Sequence, residues 1–88
     1  MKTVYKFPLG GIDEQVIETP RGAKMLAVQV QHETPCLWAT VDTNAPLRPR
    51  TILTFGTGQP MPEGEILEYI GTYQVNGGTF VFHVFEKL

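Results

Sequence analysis

Short runs of alternating apolar and polar residues, each closed by glycine, proline or asparagine, restrict this chain's folding options more than any other feature. Period-two alternation turns one side of a strand toward a core and the other toward solvent, and no stretch sustains helical periodicity. The 9 glycines and 7 prolines add turns and work against long helices. Residues 3–7 read as a strand stopped by Pro8 and Gly10-Gly11. Residues 15–19 read as a second, closed by Pro20-Arg21-Gly22, where Pro presets the turn's φ and Gly accepts a positive one.

The clearest hairpin covers residues 23–41. On its first arm (residues 23–32) Leu26, Val28 and Val30 read as core, while Met25, Ala27, Gln29 and Gln31 point the other way. After the tight connection His32-Glu33-Thr34-Pro35, the second arm (residues 36–41) turns Leu37, Ala39 and Val41 to one face and Cys36, Trp38 and Thr40 to the other. A polar loop over residues 42–49, with Asp42-Thr43-Asn44 suited to a turn, leads to a strand at residues 50–55. Residues 56–64 hold three glycines and two prolines and read as an irregular loop. Residues 68–75 and 79–86 form the last hairpin around Asn76-Gly77-Gly78, a sequence suited to a primed turn with φ > 0. Residues 11–15 and 63–67 each have room for one helical turn. The expectation is a single all-β domain over residues 1–88, a small antiparallel β-sandwich or partly open barrel of six or seven strands.

At 88 residues such a domain buries only about 60–65 % of its unfolded surface, so added stabilisation is expected. The one cysteine, Cys36, cannot close an internal disulfide. With His32 and His83 it has no zinc-ligand spacing, so neither a metal nor another cofactor is expected. Self-association remains, and a homo-oligomer is the expected state. Residues 79–85 are apolar on both faces, as in a central strand or one that meets a partner chain. Phe80, Phe82, His83 and Phe85 are therefore the interface candidates.

A formal net charge of -2 and a pI near 5.6 argue against binding a nucleic-acid polymer, which needs a clustered basic surface. No apolar run approaches the roughly 18 residues of a membrane span. The first eight residues show no apolar signal-peptide core, so a cytoplasmic location is expected.

For chemistry, Cys36 with His83 offers a nucleophile and a base, but nothing in the sequence supplies an orienting acid or oxyanion donor. Cys36 reads better as a small hydrophobe beside Trp38, and His83 as a structural histidine. The acidic groups Glu63, Glu65, Glu68 and Asp13-Glu14 sit in turn-like segments that favour a solvated edge over acid–base work. No catalytic residue is assigned, and the chain is expected not to be an enzyme.

Two groups read as binding residues. Gly56-Thr57-Gly58 exposes backbone N–H groups that suit an anion, with Arg48 and Arg50 upstream to supply charge-assisted hydrogen bonds. The lysine and helix of a P-loop are missing, and most Gly-Thr-Gly segments such as Thr57-Gly58 simply turn. Trp38 with Gln29 and Gln31 offers a ring-stacking platform flanked by amides, or simply a covered sheet face. Tyr69 and Tyr73, two aromatics that alternation puts on one face of their strand, carry the same ambiguity. Together these residues suit a small anionic or nucleotide-like ligand. The alternative is a host protein docked on the aromatic surfaces, or a structural role with no small-molecule site.

Five segments carry a family resemblance: Gln29-Val30-Gln31, Pro35-Cys36-Leu37-Trp38-Ala39, Gly56-Thr57-Gly58, Tyr69-Ile70-Gly71-Thr72-Tyr73, and Gly77-Gly78-Thr79-Phe80-Val81-Phe82-His83-Val84. Through them the chain resembles, nearly end to end, a family of short proteins of unknown function encoded by bacteriophages, prophages and their hosts. This chain departs from the family pattern at Gln59, where the pattern has His. The resemblance implies a phage setting, in which small proteins commonly act on the host by binding a protein or sequestering a signalling nucleotide. It implies no particular chemistry.

Overall fold

A computed structural model describes every residue of the chain except residue 12. Seven strands follow one another: β1 (Lys2–Pro8), β2 (Glu14–Pro20), β3 (Lys24–Gln31), β4 (Thr34–Asp42), β5 (Leu47–Gly56), β6 (Leu67–Val75) and β7 (Phe80–Lys87). All seven expected strands form, with ends extended by a few residues. The helical turn expected at residues 11–15 lies partly outside the described residues, and its Glu14 and Gln15 belong to β2. That expected at residues 63–67 does not form, and Leu67 opens β6.

The strands make a sandwich of two antiparallel sheets, β1-β4-β3 and β2-β5-β7-β6, which do not close into a barrel. Strand β4 is central in the first sheet. Its Leu37, Ala39 and Val41 face inward and are at most 2 % exposed, as their alternation implied. Ile52 of β5 and Val84 of β7 answer them from the second sheet and are equally buried. Apolar side chains from both sheets thus form one core with Ile17, Val28 and Tyr73.

Two bulges change which residues share a face. The register of β3 on β4 shifts between Met25 and Ala27, so the extra residue, Leu26, breaks the alternation. Leu26 is 47 % exposed and Val30 39 %, leaving only Val28 of the expected core trio buried, while Met25 packs against the core. A second shift lies between Tyr69 and Gly71 on β6. It sends Tyr69 to the outer face and Tyr73 into the core, so the two tyrosines expected to share a face do not.

The sheets approach each other most closely where β6 meets β3. A Cβ at Gly71 would lie 3.2 Å from the backbone nitrogen of Val28, closer than an ordinary contact, so only glycine lets the strands come this near. The hairpin turns use the left-handed region. Asn76 (φ 53°) and Gly77 (φ 61°) carry the β6–β7 turn, as their sequence implied, and His32 (φ 48°) with Glu33 (φ 68°) carries the β3–β4 turn.

The connection from β5 to β6 positions the site. Both strands pair antiparallel with β7 between them, so they run parallel and need a crossover. Residues 57–66 leave beside Val81, where the Thr57 N–H bonds the Val81 carbonyl (3.1 Å), and return beside Leu88, whose N–H bonds the Ile66 carbonyl (2.9 Å). One face of β7 is occupied by the core, so this strap passes over the other. That placement accounts for Leu53 and Phe55, which point away from the core yet are only 5 % and 7 % exposed. Beneath the strap Phe55, Phe85 and Tyr69 pack edge to face, with ring centres 5.9 and 5.5 Å apart.

Candidate functional site

Strand alternation sends Phe80 and Phe82 to the inner side of β7 and His83 and Phe85 to the outer side. Where β7 begins, beyond the last inward-facing core residues, rings outrun the opposing sheet and form a stack. Tyr73 lies 5.5 Å from Phe82 at an interplanar angle of 33°, and Phe82 lies 6.5 Å from Phe80 at 25°. Burial falls along the series: Tyr73 is 9 % exposed, Phe82 half-buried and Phe80 51 % exposed. An aromatic surface therefore leads from the core to solvent.

Two clefts open against this stack, and a third lies beyond it. One of about 270 Å³ is lined by Gly56, Thr57, Thr79, Phe80, Val81 and Phe82. A second, about 190 Å³, lies against Tyr73, Val75 and Phe82, with Asp13 and Thr54 at its edge. The third, about 720 Å³, lies between the two hairpin turns and is bordered by Glu33, Gln74 and Asn76. The first is the most defined chemically. It has an aromatic wall, a threonine on either side and no charged side chain.

Thr57 in that cleft is the end of a hydrogen-bonded series crossing the outer face of the sheet. Its Oγ1 is 2.8 Å from His83 Nε2, and His83 Nδ1 is 3.1 Å from Thr72 Oγ1. Thr72 Oγ1 is in turn 2.6 Å from the Tyr69 hydroxyl. In one direction Tyr69 donates to Thr72, Thr72 to Nδ1, Nε2–H to Thr57, and Thr57 to the Val81 carbonyl at 3.4 Å. Reversed, Thr57 donates to Nε2, Nδ1–H to Thr72, and Thr72 to Tyr69. Val81 keeps the Thr57 N–H in both arrangements. Each imidazole tautomer thus finds one donor and one acceptor.

The Tyr73 hydroxyl borders the second cleft and has no hydrogen-bond partner among the described residues. Burial raises its pKa above the ordinary phenol value, because the buried site disfavours the phenolate. The associated stability is complete below about pH 10, the unfolded phenol's range. It is lost as pH climbs from there through the higher folded value, because the unfolded chain sheds its proton first. Tyr73→Phe should therefore show a smaller fall in thermal midpoint than the wild type between about pH 9 and pH 11. Parallel declines would rule out this linkage.

The structure brings some expected site residues together and separates others. Thr57, Phe80 and Phe82 share a cleft, with Gly58 next in the chain and His83 behind Thr57. Gln29, Gln31 and Trp38 do lie together, but on the outer face of the three-stranded sheet, where Lys6 bonds Gln31 (2.8 Å) and lies 6.0 Å from the Trp38 ring centre. None of the three clefts touches them.

The composite anion site expected from Arg48, Arg50, Thr57 and Trp38 does not assemble. Arg50 and Thr57 are seven positions apart along extended chain, about 23 Å, and Trp38 belongs to the other sheet. Arg48 is exposed and, among the described residues, bonds only the Leu47 carbonyl (2.9 Å). Arg50 points inward, where its guanidinium engages both Glu86 oxygens, one at 2.7 Å from Nη2, and the Ala23 carbonyl at 3.0 Å. The hydrogen bonding to Glu86 raises the guanidinium's pKa more than burial lowers it. Arg50 is thus occupied within the fold, so its expected anion contact gives way to a structural pair.

Of the interface candidates only Phe80 is exposed. Phe82, His83 and Phe85 are half-buried, because β7 is an interior strand between the core and the strap. Cys36 is 2 % exposed on the other sheet, its thiol bonding the Thr34 carbonyl (3.4 Å), which leaves it far from His83. Thr72, Tyr69 and Glu86 have roles that reading by strand did not assign, since each depends on which strands become neighbours.

Among the described residues no helix is long and apolar enough to cross a membrane. No curated protein and no solved structure matches the chain. The family model for a domain of unknown function, DUF7352, matches residues 1–88, and the chain belongs to that family.

Proposed function

We propose that this chain is a non-enzymatic accessory protein of a phage or prophage that binds a small flat-ringed ligand in the cleft between Thr57 and Phe80. The carrying observation is the stack Tyr73–Phe82–Phe80, which ends in a half-exposed ring beside a hydroxyl-lined concavity of about 270 Å³. A ring laid on Phe80 would extend the stack, and Thr57 or Thr79 would supply an oriented hydrogen bond. Because no cation lines the cleft, the reading keeps the base of a nucleotide-like ligand and drops the arginine-held phosphate. The phage setting rests on the sequence resemblance. Sequestration within the host cytoplasm is the role that setting suggests.

Amide NMR titration with the four ribonucleosides and their 5′-monophosphates tests this. At least one nucleoside should shift the Thr57, Gly58 and Phe80 amides, with its monophosphate binding no more tightly. Phe80→Ala should weaken binding about tenfold, the scale of one base–aromatic stack. Shifts confined to Gln29, Gln31 and Trp38 would move the site to the other sheet. Absence of any shift at millimolar ligand would favour the second reading, a homo-oligomer or host-protein contact through exposed Phe80.

A further inference from the structure

The geometry points to Thr57 as an acyl acceptor: an exposed hydroxyl that takes an acyl group once from an activated aryl ester. Three observations meet there. His83 Nε2 is 2.8 Å from Thr57 Oγ1, within reach for proton removal. His83 Nδ1 is held by Thr72, itself held by Tyr69, so the ring is fixed from behind. Thr57 also lines the cleft walled by Phe80 and Phe82, whose rings stand on the other side of β7 from His83 and offer an aryl group a surface at that edge. A nucleophile, a base and a group orienting the base are the arrangement that activates a hydroxyl.

The local backbone adds a fourth element. Thr57 sits between two glycines, and the Gly58 N–H has no acceptor among the described residues. In hydroxyl nucleophiles carried on tight turns, the N–H of the following residue is a common stabiliser of the developing oxyanion.

In the tautomer with the proton on Nδ1, Thr57 donates to Nε2 and Nδ1–H donates to Thr72. The Oγ1–acyl carbon bond forms as the bond from that carbon to the aryloxy oxygen breaks. The Thr57 proton passes to Nε2 and then to the departing aryloxide. Thr72 and Tyr69 act as positioning residues. The product is an ester on Thr57, made once per chain, so the step is a modification and not turnover.

The probe is p-nitrophenyl acetate, with peptide mapping after labelling. Wild-type protein should release one equivalent of p-nitrophenolate and carry one acetyl group on Thr57. Thr57→Ser should keep the label. Thr57→Val, isosteric at an exposed position, should lose it with an unchanged thermal midpoint. His83→Gln should slow labelling about 100-fold, the lower end for a general base. Acetyl groups only on lysines or the N-terminus would overturn the proposal, as would folded His83→Gln labelling Thr57 at the wild-type rate.

The proposal shares its aryl-binding wall with the proposed function, but the two can fail separately. Nucleoside binding without Thr57 acylation leaves the binding reading intact and removes this one. Acylation with no nucleoside shift does the reverse.

Discussion

Leu37→Ala is expected to lower the unfolding free energy by about 4 kcal/mol, within the range for truncating fully buried leucines. Leu37 is 0 % exposed, and on the central strand of its sheet it pairs with Phe7 on one side and Val28 on the other. The hole could close only if the two sheets moved together, which their close approach at Gly71 opposes. A domain of this size has roughly 5–15 kcal/mol in total, so the variant should approach the unfolding threshold. Urea titration reads this directly. A loss below about 1 kcal/mol would mean that the two sheets collapse onto the vacancy, contrary to the close approach at Gly71.

Glu86→Ala is expected to cost about 3 kcal/mol, because it strands the inward-pointing Arg50 without its partner. The two side chains are 22 % and 8 % exposed, so water replaces the lost carboxylate poorly. The double variant Arg50→Met with Glu86→Leu should recover most of that loss, since two apolar side chains of similar size leave no charge to desolvate. Denaturant midpoints of Glu86→Ala and of the double variant separate the possibilities. If the double is as unstable as Glu86→Ala, the bond from Arg50 to the Ala23 carbonyl matters more than the ion pair. That bond joins β5 to the start of the other sheet.

Much of the architecture is legible in the residues because turn chemistry and alternation are local. Asn76-Gly77 marks its hairpin, Leu37, Ala39 and Val41 mark their face, and all seven strands lie where alternation puts them. The bulges are not legible. Leu26 and Ile70 look like ordinary members of an alternating run, and a single extra residue reverses the faces on either side. Hence Leu26 is exposed, and Tyr69 and Tyr73 separate.

The site was half legible for a related reason. Thr57, Phe80, Phe82 and His83 stand out by residue type, but their meeting depends on β7 lying between β5 and β6. Hairpin reasoning pairs β6 with β7 and leaves the other neighbour of β7 open. The partner of Arg50 was hidden in the same way: Glu86 is 36 positions away, and only strand order brings the two together. A charge that looks free in sequence was therefore assigned to a ligand.

That interior position of β7 also constrains how the molecule can be made. The sheet β1-β4-β3 uses only residues 2–42, so a nascent chain can complete it while synthesis continues. β5 and β6 do not pair with each other, and they stay unjoined until residues 80–87 emerge to fill the gap. At about 5–20 residues per second, the ribosome takes seconds to go from residue 42 to residue 87. During that interval half a sandwich presents its apolar face and open strand edges to the cell. A chain halted before β7 would be left with strands that invite pairing by other molecules. Yield should therefore depend sharply on whether translation runs through those eight residues.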